Sequence, residues 1–321
     1  MNKFIMIEPG GDITKLMMSD LEKREDVEIL YQPFLLKNKL LRFIRDKHLS
    51  YKLNKNIVFP FQAIWRKFYT LSQYKFSPEN EYYIIMGNAV LSMIDDDYLR
   101  YLSQKNNIHL VLYFSDPVDA FFARLAKAKA QRNSFEFIFT FDPADAKKYG
   151  YVLMRNIYST SNVAPSDHKS DICFIGENKG RQSILEQIHT LCEENNVITN
   201  FRMTRVENTQ KAGIIYNQRI SYLESIADAK STNCLLEILQ EGQTGVSFRY
   251  YEAICYNRKL LTNNPEIFTL PYYDERFMRY FKELSDIDFE WVKKKETVDY
   301  HYAGDFSPIR FIELLQKSIK Q

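Results

Sequence analysis

Short runs of apolar residues alternate along this chain with longer segments in which apolar residues recur at helical spacing. Short apolar runs bounded by turn residues are typical of buried strands, whereas helical spacing indicates amphipathic helices that pack on one face. Regular repetition of the two predicts βαβ units built around parallel sheets. We therefore expect an α/β fold.

The alternation falls into two halves, separated by a small, polar stretch at 159–170 that is the best linker. The strands predicted in the first half are 4–7, 27–31, 82–86, 109–114 and 135–140, with helices that include 37–49, 57–72 and 118–130. The strands predicted in the second half are 171–175, 197–203, 234–238 and 259–263. This pattern predicts two Rossmann-like domains facing each other across a cleft, at 1–160 and 170–306. A final helix at 307–321 is expected to pack back on the first domain.

Charge limits the partners that we expect for the chain, and cysteine content limits the compartment. Lysine and arginine total 43 against 41 acidic residues, a net charge of +2, so we expect no nucleic-acid partner for the chain as a whole. The four cysteines form no C-x-x-C pair, which favours free thiols and a reducing compartment. The apolar N-terminal run is too short for a signal peptide, and no stretch reaches transmembrane length. A cytoplasmic protein is expected.

One late segment combines a glycine turn with the start of a helix. Gly242 and Gly245 flank the turn, and the helix begins near Ser247. Free amide groups and the positive dipole end at a helix start favour phosphate. Arg249 lies in the first turn, where a cation opposes the dipole unless an anionic ligand is bound. Glu252, one turn later, could accept hydrogen bonds from ribose hydroxyls. The alternative is a capped helix with an Arg249–Glu252 ion pair.

A second glycine turn opens the first helix of the second half. Gly176 and Gly180 permit close backbone approach, while Lys179 and Arg181 place positive charge at a helix N-terminus. Such basic loops are usually only solvated. However, the carboxyl ends of parallel strands meet at one edge of a sheet, so the two turns should lie side by side. Together they predict a diphosphate site.

Two spaced sets of residues in this sequence resemble a family pattern. The first set is Gln243, Gly245, Ser247, Arg249, Glu252, Lys259, Leu260, Thr262 and Asn263. The second set is Leu112, Tyr113, Asp116, Phe141, Asp142, Asp145, Ala146, Tyr149 and Gly150. Together they resemble the GT-B glycosyltransferases, especially a group of bacterial capsule and lipopolysaccharide biosynthesis proteins.

The resemblance implies a nucleotide-sugar donor bound by the second domain, with Glu252 at the ribose and the preceding turn at the diphosphate. The expected donor-binding residues are Gly176, Lys179, Arg181, Gly245, Val246, Ser247, Arg249 and Glu252. Many retaining members carry two glutamates at a fixed spacing, but Thr244 stands where the other one would be. Inversion or retention therefore stays open.

An inverting reaction needs a base on the first domain that deprotonates an acceptor hydroxyl. Asp116, just beyond a strand, and Asp12, in the turn after the first strand, have suitable positions. A turn-closing aspartate and a helix N-cap are simple alternatives for the two. Gly87 and Asn88 end another strand and are expected to line the acceptor cleft. The acidic run at 95–97 could suggest a metal-binding D-x-D motif, but a helix cap fits its flanks better, and we expect neither metal nor cofactor.

Residues 37–75 interleave lysines and arginines with apolar and aromatic residues, and Asp46 is the single acid among them. Basic amphipathic segments suit the surface of an anionic bilayer. A solvated helical face whose apolar side joins the core is an equal alternative. Single-stranded nucleic acid is a third option, but no recognised motif supports it.

These features together predict a metal-independent glycosyltransferase. It would move a sugar to a lipid-linked glycan acceptor in surface polysaccharide synthesis, at the inner face of the cell membrane. A non-catalytic binding protein with the same fold is the alternative. An epimerase is a further rival, for which Pro9-Gly10-Gly11 would be a poor dinucleotide fingerprint.

Overall fold

The computed structural model describes residues 1–50, 53–54, 59–120, 123–208, 211–239 and 245–321. Contacts between residues divide the chain into two compact units. Unit 1 comprises Met1–Ser159 and Asp305–Gln321, and unit 2 comprises Thr160–Gly304. The chain therefore leaves unit 1 once and returns to it for its last helix.

Each unit contains one sheet. The strands of unit 1 are β1 (Asn2–Ile7), β2 (Val27–Leu30), β3 (Glu81–Gly87), β4 (Ile108–Phe114), β5 (Phe137–Thr140) and β6 (Val152–Leu153). The strands of unit 2 are β7 (Ser170–Glu177), β8 (Thr199–Thr204), β9 (Ile215–Tyr216), β10 (Thr232–Glu237), β11 (Lys259–Thr262) and β12 (Met278–Tyr280). All pairings within these two sheets are parallel.

Helices connect successive strands. The helices of unit 1 that precede unit 2 are α1 (Asp12–Met18), α2 (Lys39–His48), α3 (Asn88–Leu91), α4 (Asp96–Ser103), α5 (Arg124–Arg132) and α6 (Pro143–Tyr149). Unit 2 contributes α7 (Gln182–Glu194), α8 (Tyr222–Ser231), α9 (Phe248–Cys255) and α10 (Phe289–Lys293), and α11 (Pro308–Ile319) completes unit 1. No helix in the described part of the chain has both the length and the apolar character needed to cross a membrane.

The central strands of unit 1 are buried on both faces, as their continuous apolar runs require. On one face, Phe4 of β1 and Tyr83 of β3 belong to a cluster that α11 covers with Phe311 and Leu315. On the other face, Ile84 and its neighbours pack in a cluster with residues of α3, α4 and α5. The sheet is therefore the middle layer of a three-layer sandwich.

Each sheet has one switch point, at which the chain stops adding strands on one side of the first strand and continues on the other side. The order in unit 1 is β2-β1-β3-β4-β5-β6, which changes direction between β1 and β3. The order in unit 2 is β12-β11-β10-β7-β8-β9, which changes direction between β7 and β10. Ligands of open α/β sheets bind outside the carboxyl ends of the strands at such a switch point. Each unit thus has a definite place where a ligand site is expected.

The predicted elements are confirmed in the middle of both sheets and wrong at several edges. In its described part, segment 57–72 forms 3-10 helices at Gln62–Phe68 and Thr70–Gln73 instead of one α-helix. The helix predicted from 118 begins at Arg124. The sequence does not predict β6, β9 and β12, because edge strands of two or three residues are too short to show a period.

Candidate functional site

The head of α9 in unit 2 is fixed by hydrogen bonds to neighbouring strands. Ser247 is the N-cap, and its Oγ accepts a hydrogen bond from the Arg249 amide at 3.2 Å. The Ser247 amide donates to a carboxylate oxygen of Glu237 at 3.0 Å. Gly245 has a φ of 89°, in the left-handed region that favours glycine. The predicted motif residues 241–244, including Gly242 and Gln243, lie outside the described residues.

Glu237 organises this loop, and sequence reasoning missed it. It is the last residue of β10 and is 2% exposed. Its second carboxylate oxygen accepts a hydrogen bond from the hydroxyl of Thr262, at the end of β11, at 2.6 Å. Asn264 then ties β11 back to the loop, because its Nδ2 donates to the Gly245 carbonyl at 3.2 Å. An acid that closes an apolar strand was the available sequence signal.

Arg249 and Glu252 form an ion pair inside unit 2. Arg249 Nη1 donates to the Glu252 carboxylate, while Nη2 donates to the carbonyl of Ile175 in β7. The other Glu252 oxygen accepts a hydrogen bond from the Tyr222 hydroxyl at 2.9 Å. The Glu252 side chain is fully buried, and that of Arg249 retains 15% exposure. The ion pair that sequence reasoning offered as the alternative is therefore present.

Arg181 holds the two strands at the switch point of unit 2 together. Its Nη2 donates to the carbonyl of Glu177, the last residue of β7, at 2.6 Å, and its Nη1 donates to the carbonyl of Ile238, just beyond β10, at 2.7 Å. Gly176 lies in β7, where a Cβ would approach Arg181 Nη2 to 3.2 Å. Burial and the positive charge of Arg249 lower the pKa of the Arg181 guanidinium.

The structure thus brings the two predicted turns together at the carboxyl edge of one sheet. Arg181 contacts residues beside β7 and β10, and Arg249 contacts β7. The Lys179 side chain is exposed on the same loop as Arg181, at a φ of 42°. Val246 lies between Gly245 and the α9 cap and is half-buried. Two arginines and a lysine thus lie next to the starts of α7 and α9, although Glu252 pairs with Arg249 and Glu237 accepts from the Ser247 amide. Arginine, lysine and the positive end of a helix are groups that attract anions.

Lys259 of the family-like pattern lies away from this site. It begins β11, at the amino end of the sheet, and is fully buried. Its ammonium donates to the carbonyl of Trp291 at 2.7 Å and pairs with Glu296 at 3.1 Å. Asn263 lies at the carboxyl edge instead, where its Oδ1 accepts from the Leu239 amide at 2.7 Å. The pattern therefore combines loop-shaping residues with one lysine that joins β11 to the α10 region.

At the switch point of unit 1, the Glu8 carboxyl and the Tyr113 hydroxyl form a hydrogen bond, and the Tyr113 ring lies against Gly87. Glu8 directly follows β1, is 4% exposed, and accepts a hydrogen bond from the Tyr113 hydroxyl of β4 at 2.6 Å. A Cβ on Gly87, at the end of β3, would lie 3.0 Å from the Tyr113 hydroxyl oxygen. Burial raises the pKa of Glu8 to about 7 and that of Tyr113 well above its usual value. Sequence reasoning missed Glu8.

Asn88 and Asp116 also meet at this edge of unit 1. Asn88 Nδ2 donates to the Asp116 carboxylate at 3.0 Å, and its Oδ1 accepts from the Ser115 amide at 3.0 Å. Both side chains line a cavity of about 470 Å³, together with Arg45 and Asp46 of α2. Asp116 is therefore held in place beside a space that a small ligand could occupy.

The remaining predicted acids have simpler positions. Asp12 is exposed and is the first residue of α1, whose N-cap is Gly11, so the N-cap interpretation of Asp12 is wrong by one residue. Asp95 caps α4 by accepting from the Tyr98 amide at 3.1 Å and is paired with Arg66, which confirms its capping interpretation. Among the described residues, no cluster of histidine, cysteine, aspartate and glutamate has the form of a metal site. Metal independence stays a prediction.

A basic, apolar surface occupies α2 and the residues that follow it; we call it the α2 surface. No residue of α2 is buried. Its exposed apolar residues are Leu40, Leu41, Phe43 and Ile44, and those beyond the helix are Leu53, Phe59, Phe61 and Ile64. Phe43 is 58% exposed and Phe61 79% exposed. The predicted alternative, in which the apolar side of this helix joins the core, is therefore wrong for α2.

No protein-family model and no curated protein matches the chain. Solved structures do match it. One is the Methanocaldococcus jannaschii UDP-GlcNAc 2-epimerase in complex with UDP-GlcNAc and UDP, at 13% identity and a TM-score of 0.52, covering 99% of this chain and 100% of that one. Another is S. aureus MnaA with UDP, at 12% identity and 0.56, covering 99% and 97%. A third is the UDP-forming α,α-trehalose-phosphate synthase of Burkholderia xenovorans, at 10% identity and 0.50, covering 89% of each chain.

Likeness at such low identity establishes the fold alone. The strand orders and the matched structures agree on an α/β protein with two Rossmann-like domains. Nothing in these three matches is specific to capsule or lipopolysaccharide synthesis. The chain has a GT-B-type fold, and the predicted fold class is confirmed.

Proposed function

We propose that this chain is a glycosyltransferase that takes a sugar from a nucleoside diphosphate donor held by unit 2. One observation carries the proposal: Arg181 and Arg249 lie at the carboxyl ends of β7 and β10, next to the head of α9. This is the switch point of the sheet, where α/β folds bind ligands. Two of the similar structures contain UDP, and a third is a UDP-forming transferase, which supports the same donor class.

The chemistry of sugar transfer explains why two arginines belong there. As the bond between sugar and diphosphate breaks, negative charge grows on the leaving phosphate, and fixed cations and dipoles stabilise it. A guanidinium has five N–H donors, and among the described residues Arg249 uses two of them on protein oxygens. The donors left over on Arg249, together with the ammonium of Lys179, would supply the contacts to the phosphates.

The donor site is tested by calorimetric titration with UDP and GDP. Lys179 is exposed, so Lys179→Gln should leave the fold intact while removing one charged contact, which lowers affinity by about tenfold or more. Lys282→Gln, an exposed lysine elsewhere in unit 2, is the matched control and should bind like the wild type. If both variants bind equally well, the donor site does not include Lys179. If the wild type binds neither nucleotide, the proposed donor class is wrong.

For the acceptor we propose a lipid-linked glycan reached at an anionic membrane, through the α2 surface. Phe43 and Ile44, 58% and 45% exposed, could enter the interfacial region of a bilayer, and Lys37, Lys39 and Arg42 could contact lipid phosphates. Each such charge contributes about 1 kcal/mol near an anionic surface. The cavity beside Asn88 and Asp116 adjoins the end of α2 and offers space for the acceptor.

Sedimentation with lipid vesicles tests the membrane contact. The wild type should bind vesicles containing phosphatidylserine and bind phosphatidylcholine vesicles weakly. Because no residue of α2 is buried, Phe43→Ser with Ile44→Ser should stay folded, yet lower binding by about tenfold or more, since each buried side chain contributes about 1.5–3 kcal/mol. The control is Ile198→Ser, a 60% exposed isoleucine of unit 2. Equal binding by both variants contradicts the membrane contact.

Product analysis separates transfer from the other functions that this fold supports. One of the similar structures is a UDP-GlcNAc 2-epimerase. The poor dinucleotide fingerprint of this chain therefore argues little against epimerisation. An epimerase would convert the nucleotide-sugar without an acceptor, whereas a transferase releases nucleoside diphosphate in step with acceptor use. A non-catalytic binding protein would bind the donor and leave it unchanged.

A further inference from the structure

We propose that Glu8 is the base that accepts the acceptor's hydroxyl proton during sugar transfer; this proposal rests on the proposed glycosyltransferase function. Glu8 lies at the carboxyl end of β1, next to the end of β3, which is the switch point of unit 1. Ligands of open α/β sheets are expected at this position. Glu8 therefore occupies the place in unit 1 that corresponds to the donor site in unit 2.

The surroundings of Glu8 leave one carboxylate oxygen for a substrate. Oε1 accepts a hydrogen bond from the Tyr113 hydroxyl at 2.6 Å. Among the described residues, Oε2 has no hydrogen-bond donor. Gly10 follows at a φ of 78°, and a Cβ there would lie 2.3 Å from the Tyr31 carbonyl oxygen, so the turn after Glu8 packs closely against the residue that follows β2. Asp116 and Asp12 are less buried than Glu8, because Asp116, which Asn88 binds through one oxygen, is partly exposed and Asp12 is exposed on α1.

Tyr113 is a positioning residue for this carboxyl. Its ring packs against Phe311 of α11, with centroids 5.7 Å apart, and it is accommodated above Gly87, which has no Cβ to displace it. In the described part of the chain, the titratable groups that face Glu8 are the phenols of Tyr113 and Tyr31. Tyr31 in turn donates to the Glu22 carboxylate at 3.1 Å. Burial among neutral phenols favours the protonated carboxyl, and the hydrogen bond from Tyr113 partly opposes it.

The reaction is a single displacement. Oε2 of ionised Glu8 takes the hydroxyl proton as the acceptor oxygen bonds to the anomeric carbon of the donor sugar. The bond from that carbon to the diphosphate oxygen breaks, and its electron pair leaves with the nucleoside diphosphate. Neutral Glu8 then returns its proton to water. Attack from the face opposite the leaving group inverts the anomeric configuration.

The test compares Glu8→Gln, Tyr113→Phe and a control, Glu25→Gln, an exposed acid of unit 1. Donor affinity is measured first, by calorimetry, in every variant. Transfer to acceptor is then followed across pH. Glu8→Gln should retain donor affinity and lose transfer by about 10²- to 10⁴-fold, the usual contribution of a general base. Glu25→Gln should match the wild type in both.

Tyr113→Phe separates a catalytic role of Glu8 from a structural one. It keeps the ring that packs on Phe311 and removes only the hydrogen bond that opposes protonation of Glu8. Wild-type kcat/KM should rise with pH through the pKa of Glu8, and in Tyr113→Phe that rise should move to higher pH. A Glu8 that merely maintains the fold would leave the pH profile of this variant unchanged.

Three results overturn the proposal. Folded Glu8→Gln that transfers sugar at the wild-type rate removes Glu8 as the base. A product that retains the donor's anomeric configuration excludes the single displacement. A wild type that binds no nucleotide-sugar refutes the proposed function itself and the base with it, and the calorimetry identifies that case before any rate is measured.

Discussion

At the scale of single residues, we expect the Arg249–Glu252 pair to contribute to stability as well as to the proposed donor site. Both side chains are buried inside unit 2, so removing one leaves the other charge unpaired. Breaking a buried pair in this way costs about 3–5 kcal/mol. We expect Arg249→Ala to lower the free energy of unfolding by that amount, as measured by urea denaturation.

The control for this prediction is Arg276→Ala. Arg276 pairs with Asp274 in the same unit, but its side chain is 69% exposed, so its loss should hardly move the unfolding midpoint. Equal midpoints for the two variants would contradict the burial of Arg249. Loss of donor binding in Arg249→Ala is consequently interpretable only after the folded fraction has been measured, which is why the donor test uses exposed Lys179.

Glu8 gives a prediction for stability against pH. Its folded-state pKa of about 7 is above the ordinary value of 4.5, so the folded state binds the proton more tightly than the unfolded state. The stabilisation from neutral Glu8 is complete below the unfolded-state pKa and is lost as pH rises through the folded-state pKa. Glu8→Gln, which is neutral at all pH values, should therefore be more stable than the wild type by roughly 3 kcal/mol above neutrality.

Urea denaturation of both proteins at a series of pH values provides the measurement. The stability difference should grow as pH rises and level off above the folded-state pKa of Glu8. A difference that is constant with pH would mean that the Glu8 carboxyl is not held in a desolvated environment. Glu25→Gln, on the exposed surface of unit 1, should show no such trend.

At the scale of elements, the loop before α9 depends on the ends of β10 and β11. Glu237 accepts hydrogen bonds from the Ser247 amide and from the Thr262 hydroxyl. Thr262→Val keeps the shape of the side chain but leaves a Glu237 oxygen without its donor and the Asn264 amide, which donates to the Thr262 hydroxyl at 2.9 Å, without its acceptor. Such a loss costs about 1–3 kcal/mol. We expect lower stability by that amount in chemical denaturation, and weaker nucleotide binding, because the loop loses an anchor.

Thr269→Val is the matched substitution for this test. Thr269 is exposed, and its hydroxyl donates to a carbonyl within its own short 3-10 helix. Its loss should leave nucleotide affinity unchanged. If Thr262→Val also binds UDP like the wild type, then the loop keeps its conformation without the hydrogen bond between Thr262 and Glu237, and that bond is only structural.

At the scale of the whole molecule, α11 belongs to the core of unit 1, although all of unit 2 lies between it and the rest of unit 1 along the chain. Ile312 and Leu315 are fully buried in the cluster that contains Phe4 and Tyr113. Leu315→Ala should lower the free energy of unfolding by about 2–5 kcal/mol, the usual cost of a large-to-small core substitution. Lys317→Ala, exposed on the same helix, serves as the control in the same denaturation experiment.

The sequence predicted the central elements of the fold because their signal is local. An apolar run such as β3 is readable from its own residues, and so is the N-cap Ser247. The position of Arg181 at the edge of the sheet was predicted too. Its hydrogen bonds to two main-chain carbonyls were not, because every residue type has the same carbonyl group and the sequence cannot single one out.

Glu8 could not be found in the same way. In sequence it is simply the first polar residue after a strand, and Tyr113, which binds it, is distant along the chain. Its character comes from burial among elements that meet only once the sheet is assembled. The α2 surface shows the converse: its composition was visible, but whether its apolar side is covered depended on the packing of the folded unit.

The return of the chain to unit 1 has a consequence for biosynthesis. While the polypeptide emerges from a ribosome, the first sheet is complete before unit 2 has been translated, yet one of its faces is only partly covered until α11 appears. In nascent unit 1, Tyr113 and Phe139 therefore lack the Phe311 ring that packs on them throughout translation of unit 2. A hydrophobic surface of this kind invites aggregation or chaperone capture. Heterologous expression should accordingly favour slow translation or a chaperone-rich host.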